Sequence, residues 1–287
     1  MSEKRKNRIT AQSKRKGSRQ KSGKGIRWGW LVFRLFVAGV LLLCLLFFAV
    51  FFGITGKMPT TEELGRINTP LATEVFSADG RLLGRYYTEN RSNVRFGEIS
   101  PNVINALVAT EDARFYEHRG IDEIALMRVF LKSILLQDRR SGGGSTLSQQ
   151  IAKNLYPRPD LGWFTLPVSK IREGIIAYRL EKIYSKEEIL TLYLNTVPFG
   201  ENIFGIEVAA ERFFSKSPSE LSVPEAAVLV GILKANNVFN PRLHPEKSLE
   251  RRNVVIDQMV KQNYLPVEEA EKHKLAPLQV NYRVITY

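Results

Sequence analysis

Cysteine is almost missing from this chain: Cys44 is the only one in 287 residues, and it lies inside an uncharged apolar run. A disulfide framework is thereby excluded for everything that follows the run. Histidine is nearly as scarce, and His118, His244 and His273 stand far apart, so no spacing suggests a zinc site. The alternating strand–helix rhythm of a Rossmann-like nucleotide-sugar enzyme does not occur. Nor does the Lys-Ser/Thr pair that a P-loop requires after its last glycine. No internal repeat is visible. Acid is scarce in one place only. Residues 1–27 hold eleven Lys and Arg against Glu3, so +10 of the net charge of +13 belongs to them. A basic, Ser/Gly-rich stretch without apolar periodicity cannot bury a core, which predicts a disordered tail.

The next segment decides what that basic tail is for. Residues 35–56, LFVAGVLLLCLLFFAVFFGITG, carry no charge and at helical rise cover about 33 Å, enough for a hydrocarbon core of about 30 Å. Arg34 and Lys57 bracket the run, with Trp28 and Trp30 as interfacial anchors at its entry. The run is long and no small-x-small site follows it, so an uncleaved signal anchor is favoured over a cleaved signal peptide. The positive-inside rule puts residues 1–27 in the cytoplasm and everything after residue 56 outside. Nucleic-acid binding is then disfavoured, because the basic charge flanks a membrane span and not a folded domain.

Beyond the span, residues 57–72 read as a stalk. TEVFSADGRLLGRYY (73–87) alternates around Asp79-Gly80, a hairpin signal. From about residue 100 the pattern is helical: a helix opened by Ser100-Pro101, a second over 122–136, a third capped by Ser145, and a fourth over 168–183. Capping boxes at Ser185/Glu188 and Ser222/Glu225 start two more, and 246–262 and 266–273 read as helices too. The expected fold is mainly α with one small N-terminal β-hairpin, behind one transmembrane helix.

Three constellations carry chemistry. In EDARFYEHRG (111–120), Glu111 and Asp112 end a helix, where carboxylates oppose the macrodipole. Such acids are either functional or neutralised by Arg114 and Arg119, and spacing alone leaves both open. In SGGGSTLSQQIAKN (141–154), glycines lead into a helix N-terminus whose N–H groups suit an anion. Thr146, Gln150 and Lys153 follow on one face, though a plain linker before a polar helix has the same pattern. In VSKIREGII (168–176), Lys170 and Glu173 are neighbours on one face, either a surface ion pair or a second working carboxylate. Two carboxylates, an anion site and a membrane anchor together suit glycosyl transfer from a lipid pyrophosphate. LGWFTL (161–166) is an apolar loop between polar helices, expected to touch the bilayer.

EDARFYEHRG, GGGSTLSQQIAKN, KIRE, SKEEILTLYLNTVPFG and LERRNVVI resemble, in order, the five signature segments of glycosyltransferase family 51. This is the peptidoglycan glycosyltransferase module of bifunctional penicillin-binding proteins and of monofunctional transglycosylases. The resemblance covers roughly residues 73–260 and implies a lysozyme-like helical fold. It implies polymerisation of lipid II into β-1,4 glycan with release of undecaprenyl pyrophosphate, by inversion. It makes Glu111 the general base, with Asp112, Phe115 and His118 in support, and Glu173 the second catalytic glutamate. Ser145, Thr146, Gln149, Gln150, Lys153, Asn154 and Lys170 fall on the donor, pyrophosphate-binding side. No cofactor is obligatory; a divalent cation, Mg or Mn, is allowed at Glu173. Asn195 and Gly200 match the fourth segment. Ser169 stands where the family has Arg, which removes one cation that Arg172 or Arg158 would replace; Thr191 stands where the family often has Glu.

The implied partners are lipid II, the growing glycan strand, membrane lipid and other cell-wall synthesis proteins, with no nucleic acid. The expected organisation is a cytoplasmic tail (1–27), a signal anchor (28–56) in the bacterial cytoplasmic membrane, a stalk (57–72) and the transferase domain (73–275) outside. Residues 276–287 read as a linker or the start of a further domain. No Ser-x-x-Lys and Lys-Thr-Gly pair of a transpeptidase occurs in the exported part. A muramidase on a similar fold is the nearest rival, disfavoured because a soluble glycan needs neither pyrophosphate-type cations nor an anchor. A scaffold with a decayed site is disfavoured by intact Glu111, Lys153 and Glu173.

Overall fold

The structure, a computed structural model, describes residues 28–67, 73–76, 82–86, 93–135 and 144–283, with the backbone alone at 73–76, 82–86, 130 and 132–135. The chain falls into two units divided between Leu45 and Leu46. Helix α1 (Trp28–Phe51) is the one helix among the described residues long and apolar enough to cross a membrane. Its side chains are exposed almost throughout, as an apolar helix made to face lipid should be.

The second unit is built from helices. Residues 57–65, expected as a stalk, include a short helix, α2 (Thr61–Gly65), with a Thr60/Glu63 capping box, and Leu64 is fully buried. The strap is held from α6 (Thr165–Ile183). Arg172 donates to Lys57 O (3.0 Å), Arg179 to Pro59 O (2.7 Å) and Tyr184, just after α6, to Leu64 O (2.7 Å). The hairpin expected near residue 80 is present as β1 (Thr73–Phe76) against β2 (Leu82–Tyr86), antiparallel, with Thr73 opposite Tyr86. Its Asp79-Gly80 turn lies outside the described residues, as do residues 1–27 and 284–287.

Helix α3 (Pro101–Glu111) starts as its Ser100-Pro101 signal predicts, with Ser100 accepting from Asn102 N–H. Helices α4 (Glu123–Leu135), α5 (Leu147–Leu155), α7 (Lys186–Thr196), α9 (Val223–Ile232), α10 (Pro245–Lys261) and α11 (Val267–Leu275) follow the sequence pattern within a few residues. Two elements were not legible. One is α8 (Ile206–Phe214), whose apolar residues lie in GIEVAAERFF. The other is a second two-stranded ladder, β3 (Pro198–Gly200) against β4 (Ile203–Phe204). Its turn places Glu201 and Asn202 at φ 50° and 58°, the paired left-handed conformation of a tight hairpin.

Helix α9 is the centre of the core. It is apolar on every side, its residues are almost all buried, and α3 and α10 pack against it. A second packing group, α5 with α6 and α7, meets the first through Leu147, Ile151, Ile189, Tyr193 and Leu194. The carboxyl end of α3 and the amino end of α5 therefore come together where the two groups join.

Candidate active site

Glu111 is the last residue of α3. The helix stops there because Asp112 leaves the helical region (φ −154°, ψ 72°). Glu111 is half-buried, and its Oε2 accepts a hydrogen bond from Gln150 Nε2 at 3.1 Å. Gln150, expected on the donor side, is thus brought to Glu111, and its Oε1 accepts from the Tyr193 hydroxyl at 3.0 Å.

Beneath Glu111 lies a buried buttress. Both Asp112 oxygens face His118 Nε2 at 3.0 Å, and Asp112 Oδ2 also accepts from Leu147 N–H at 3.0 Å. Gly120 N–H donates to His118 Nδ1 (3.2 Å), so the ring proton sits on Nε2 and points at Asp112. Phe115 packs edge-on against His118, and the Lys186 ammonium stands 4.3 Å from the Phe115 ring centre. Lys186 also donates to His118 O (2.8 Å) and pairs with buried Glu181 at 2.7 Å. These three supporting residues tie the end of α3 to the start of α5 and to α7.

The start of α5 departs from the sequence reading in two ways. The N-cap is Thr146, not Ser145, because only Thr146 has a glutamine three residues on. Thr146 Oγ1 accepts from Gln149 N–H (3.2 Å) while Gln149 Oε1 accepts from Thr146 N–H (3.1 Å). The Thr146 hydroxyl also donates to Gly120 O at 2.6 Å. The N–H groups of Thr146, Leu147 and Gln149 are all engaged within the protein, so the helix start does not offer the bare anion site its glycines suggested. Cationic side chains lie nearby.

Those cations gather on Glu173, which is 4% exposed on α6. Lys170 Nζ donates to Glu173 Oε2 at 2.7 Å and to Ser145 Oγ at 3.0 Å. Arg158 donates from Nε and Nη2 to Glu173 Oε1, at 3.1 and 2.8 Å. Of the two arginines expected as replacements for the one missing at Ser169, Arg158 bonds Glu173, while Arg172 bonds Lys57 O. Ser169 itself is 2% exposed, its hydroxyl has no partner, and it lines a narrow cleft with Arg158, Arg172 and Glu173. Lys153 and Asn154 are exposed in the last turn of α5. A divalent cation does not fit Glu173 as it stands. Both its oxygens are held by cations, and no group of three His, Cys, Asp or Glu side chains among the described residues is placed to hold a metal.

Glu111, Arg114, Arg128, Gly144, Ser145 and Thr146 line one cleft. Ser145 connects this cleft to the Glu173 cluster, lining the cleft itself and accepting from Lys170. Of the fourth-segment residues, Asn195 clamps Val94 in both directions (3.1 and 2.9 Å), and Thr191 turns back to Glu187 O (2.8 Å). Neither belongs to the cleft's lining. Trp163 is 98% exposed on a 3-10 turn, with Phe164 and Leu166 exposed beside it.

The class defined so far is a mainly helical domain with a carboxylate–cation cleft, behind one membrane-length apolar helix. A family model described as Transglycosylase matches residues 79–260, and the chain belongs to this family of glycosyltransferases. Among curated relatives it is similar to Penicillin-binding protein 1A of Escherichia coli (strain K12), 34% identical over 229 residues, covering 80% of this chain and 26% of that one. It is 39% identical over 224 residues to Penicillin-binding protein 1A of Aquifex aeolicus, covering 78% and 30%. It is also 39% identical over 199 residues to Penicillin-binding protein 1F of Bacillus subtilis, covering 69% and 27%. The chain spans between a quarter and a third of the length of these relatives. The crystal structure of Penicillin-Binding Protein 1A from Haemophilus influenzae covers 76% of this chain and 22% of its own, at 23% identity and a TM-score of 0.43.

Proposed function

We propose that this chain is a peptidoglycan glycosyltransferase that polymerises lipid II at the outer face of the bacterial cytoplasmic membrane, with α1 as its anchor. The observation that carries the reading is the link from the cleft that holds the Glu111 carboxylate, through Ser145 in its lining, to the Lys170–Glu173–Arg158 cluster, since the Ser145 hydroxyl accepts from Lys170. One end holds a carboxylate fixed at a single oxygen, which suits a general base. The other holds cations in place, which suits a departing pyrophosphate.

In this reading Glu111 removes the proton from the 4-hydroxyl of the acceptor sugar as that oxygen attacks the donor's anomeric carbon. The bond from that carbon to the pyrophosphate oxygen breaks, and the electron pair leaves with undecaprenyl pyrophosphate. Attack opposite the leaving group inverts the anomeric centre and gives a β-1,4 link. Lys170, Arg158 and Lys153 meet the charge that develops on the leaving group, and Glu173 keeps the first two in position. The growing glycan, membrane lipid and other cell-wall synthesis proteins are the partners. The Trp163 turn lies against the bilayer, so that the lipid tail stays in the membrane while the sugar reaches the cleft.

The test is Glu111→Gln. A glutamine oxygen can still accept from Gln150, so the fold and the melting temperature stay near wild type, but it cannot take a proton. Loss of a general base lowers the rate on the order of 10²–10⁴-fold. Gel analysis of labelled lipid II reads the polymer directly, and more than a tenth of wild-type activity would remove Glu111 from the role.

A further inference from the structure

Tyr193 is the largest buried aromatic beside the cleft, 1% exposed on α7 and packed in the core with Leu190 and Leu194. A phenylalanine would fill that space equally well. The phenol hydroxyl is thus an added polar group in a dry site, where it must find a hydrogen bond. It finds one at Gln150 Oε1, 3.0 Å away, and the same amide donates to Glu111 Oε2 at 3.1 Å.

The order of donors in this chain is forced. An ionised carboxylate only accepts, so the amide must turn its NH2 toward Glu111 and its oxygen toward Tyr193. The phenol must then be the donor. Burial first, and the Glu111 charge second, push the Tyr193 hydroxyl well above its ordinary pKa, which keeps the proton in place. Without the hydroxyl, the amide keeps its bond to the carboxylate but loses its hold on α7, so Gln150 and Glu111 are free to swing together.

We propose that Tyr193 is a positioning residue for glycosyl transfer: through the Gln150 amide it fixes one oxygen of Glu111, so that the other is presented to the acceptor hydroxyl. This rests on Glu111 being the base. It adds a residue from a core helix to a site whose other members lie on α3, α5, α6 and the loops beside them.

The experiment uses the full chain in detergent with labelled lipid II, and compares Tyr193→Phe, Gln150→Ala, the double variant and Glu111→Gln. Tyr193→Phe should lower kcat about tenfold, as misplacing a catalytic group does, with KM within about twofold of wild type. In the Gln150→Ala background the same change should alter kcat by less than about twofold, because the connection is already cut. Wild-type kcat in Tyr193→Phe overturns the proposal. So does an equal loss in both backgrounds, which marks a role in the core alone, or a change confined to KM. If Tyr193→Phe does not fold, Gln150→Leu, which leaves α7 untouched, must show the same selective loss of kcat, and wild-type turnover there overturns the proposal. The two readings separate cleanly. Glu111→Gln inactive with Tyr193→Phe at full turnover refutes positioning alone, whereas active Glu111→Gln removes the base and the proposal with it.

Discussion

Replacing Arg158 by Ala should damage both stability and turnover, by amounts the geometry sets. The guanidinium makes two hydrogen bonds to one oxygen of Glu173, a carboxylate that is 4% exposed. Cutting one partner from a fully buried pair costs about 3–5 kcal/mol, because the other charge is left uncompensated. Here the cost is smaller. The side chains of Arg158 and Lys170 are 32% and 50% exposed, and Lys170 still holds the second oxygen. Solvent screening brings the expected loss to about 1–2 kcal/mol. For a domain of this size that lowers Tm by roughly 3–6 °C, which scanning calorimetry resolves. The effect on chemistry should be larger. One preplaced cation at a developing charge is worth on the order of 10²–10³ in rate. Arg158→Lys keeps a charge but loses the two-pronged contact, so it should recover stability better than turnover. Labelled lipid II turnover, measured beside the melting curves, decides the matter. An Arg158→Ala enzyme with wild-type turnover and a lowered Tm would show that Arg158 only neutralises Glu173, and the assignment of this cluster to the leaving group would fall.

Gly120→Ala should fail at the level of folding, since Gly120 holds φ +93° and a Cβ there would stand 2.7 Å from the Ala177 backbone. Soluble yield and near-ultraviolet circular dichroism report it, and a normally folded variant would contradict the close approach of this loop to α6. Glu201 is drawn into a network by Arg242, Asn240 and Tyr282, whose hydrogen bonds outweigh the opposing effect of burial and hold its carboxyl below the usual range. A depressed folded-state pKa stabilises above the unfolded value of about 4.3 and is lost as pH falls through the folded value. Wild type should therefore melt above Glu201→Gln at pH 7, and the gap should narrow as pH falls below the unfolded value and close once it is below the folded one; a gap that persists in strong acid refutes the charge argument. With Trp28 and Trp30 replaced by Phe, Trp163 emission should be quenched by brominated lipids in reconstituted vesicles. Unquenched emission would place the turn away from the bilayer.

Much of this protein is written locally. The membrane-length run needs only length and apolarity, helices α3 and α7 need only a cap and a repeating apolar face, and α9 needs only a cap and an apolar run. The Ser100-Pro101 start and the Ser185/Glu188 and Ser222/Glu225 boxes were therefore legible, since each is settled within four residues. The candidate site residues themselves were marked out by the five ordered segments. The cap of α5 was misplaced by one residue because Ser145 and Thr146 are both good caps, and only the pairing with Gln149 separates them.

What the sequence could not decide were the partners of each polar group, because those lie on other elements. Whether the Leu147 N–H at the start of α5 is open to an anion depends on Asp112, which reaches it from the end of α3. That Gln150 turns to Glu111 depends on α7 lying beside α5 with Tyr193 turned inward. Arg158 and Arg172 are equal as cations in the chain; packing alone sends one to Glu173 and the other to the strap at Lys57. Local sequence determined which residues carry charge and which segments coil. Only tertiary packing decided which charges meet, because a hydrogen bond acts over about 3 Å and residues so far apart in the chain come that close only when the core is formed.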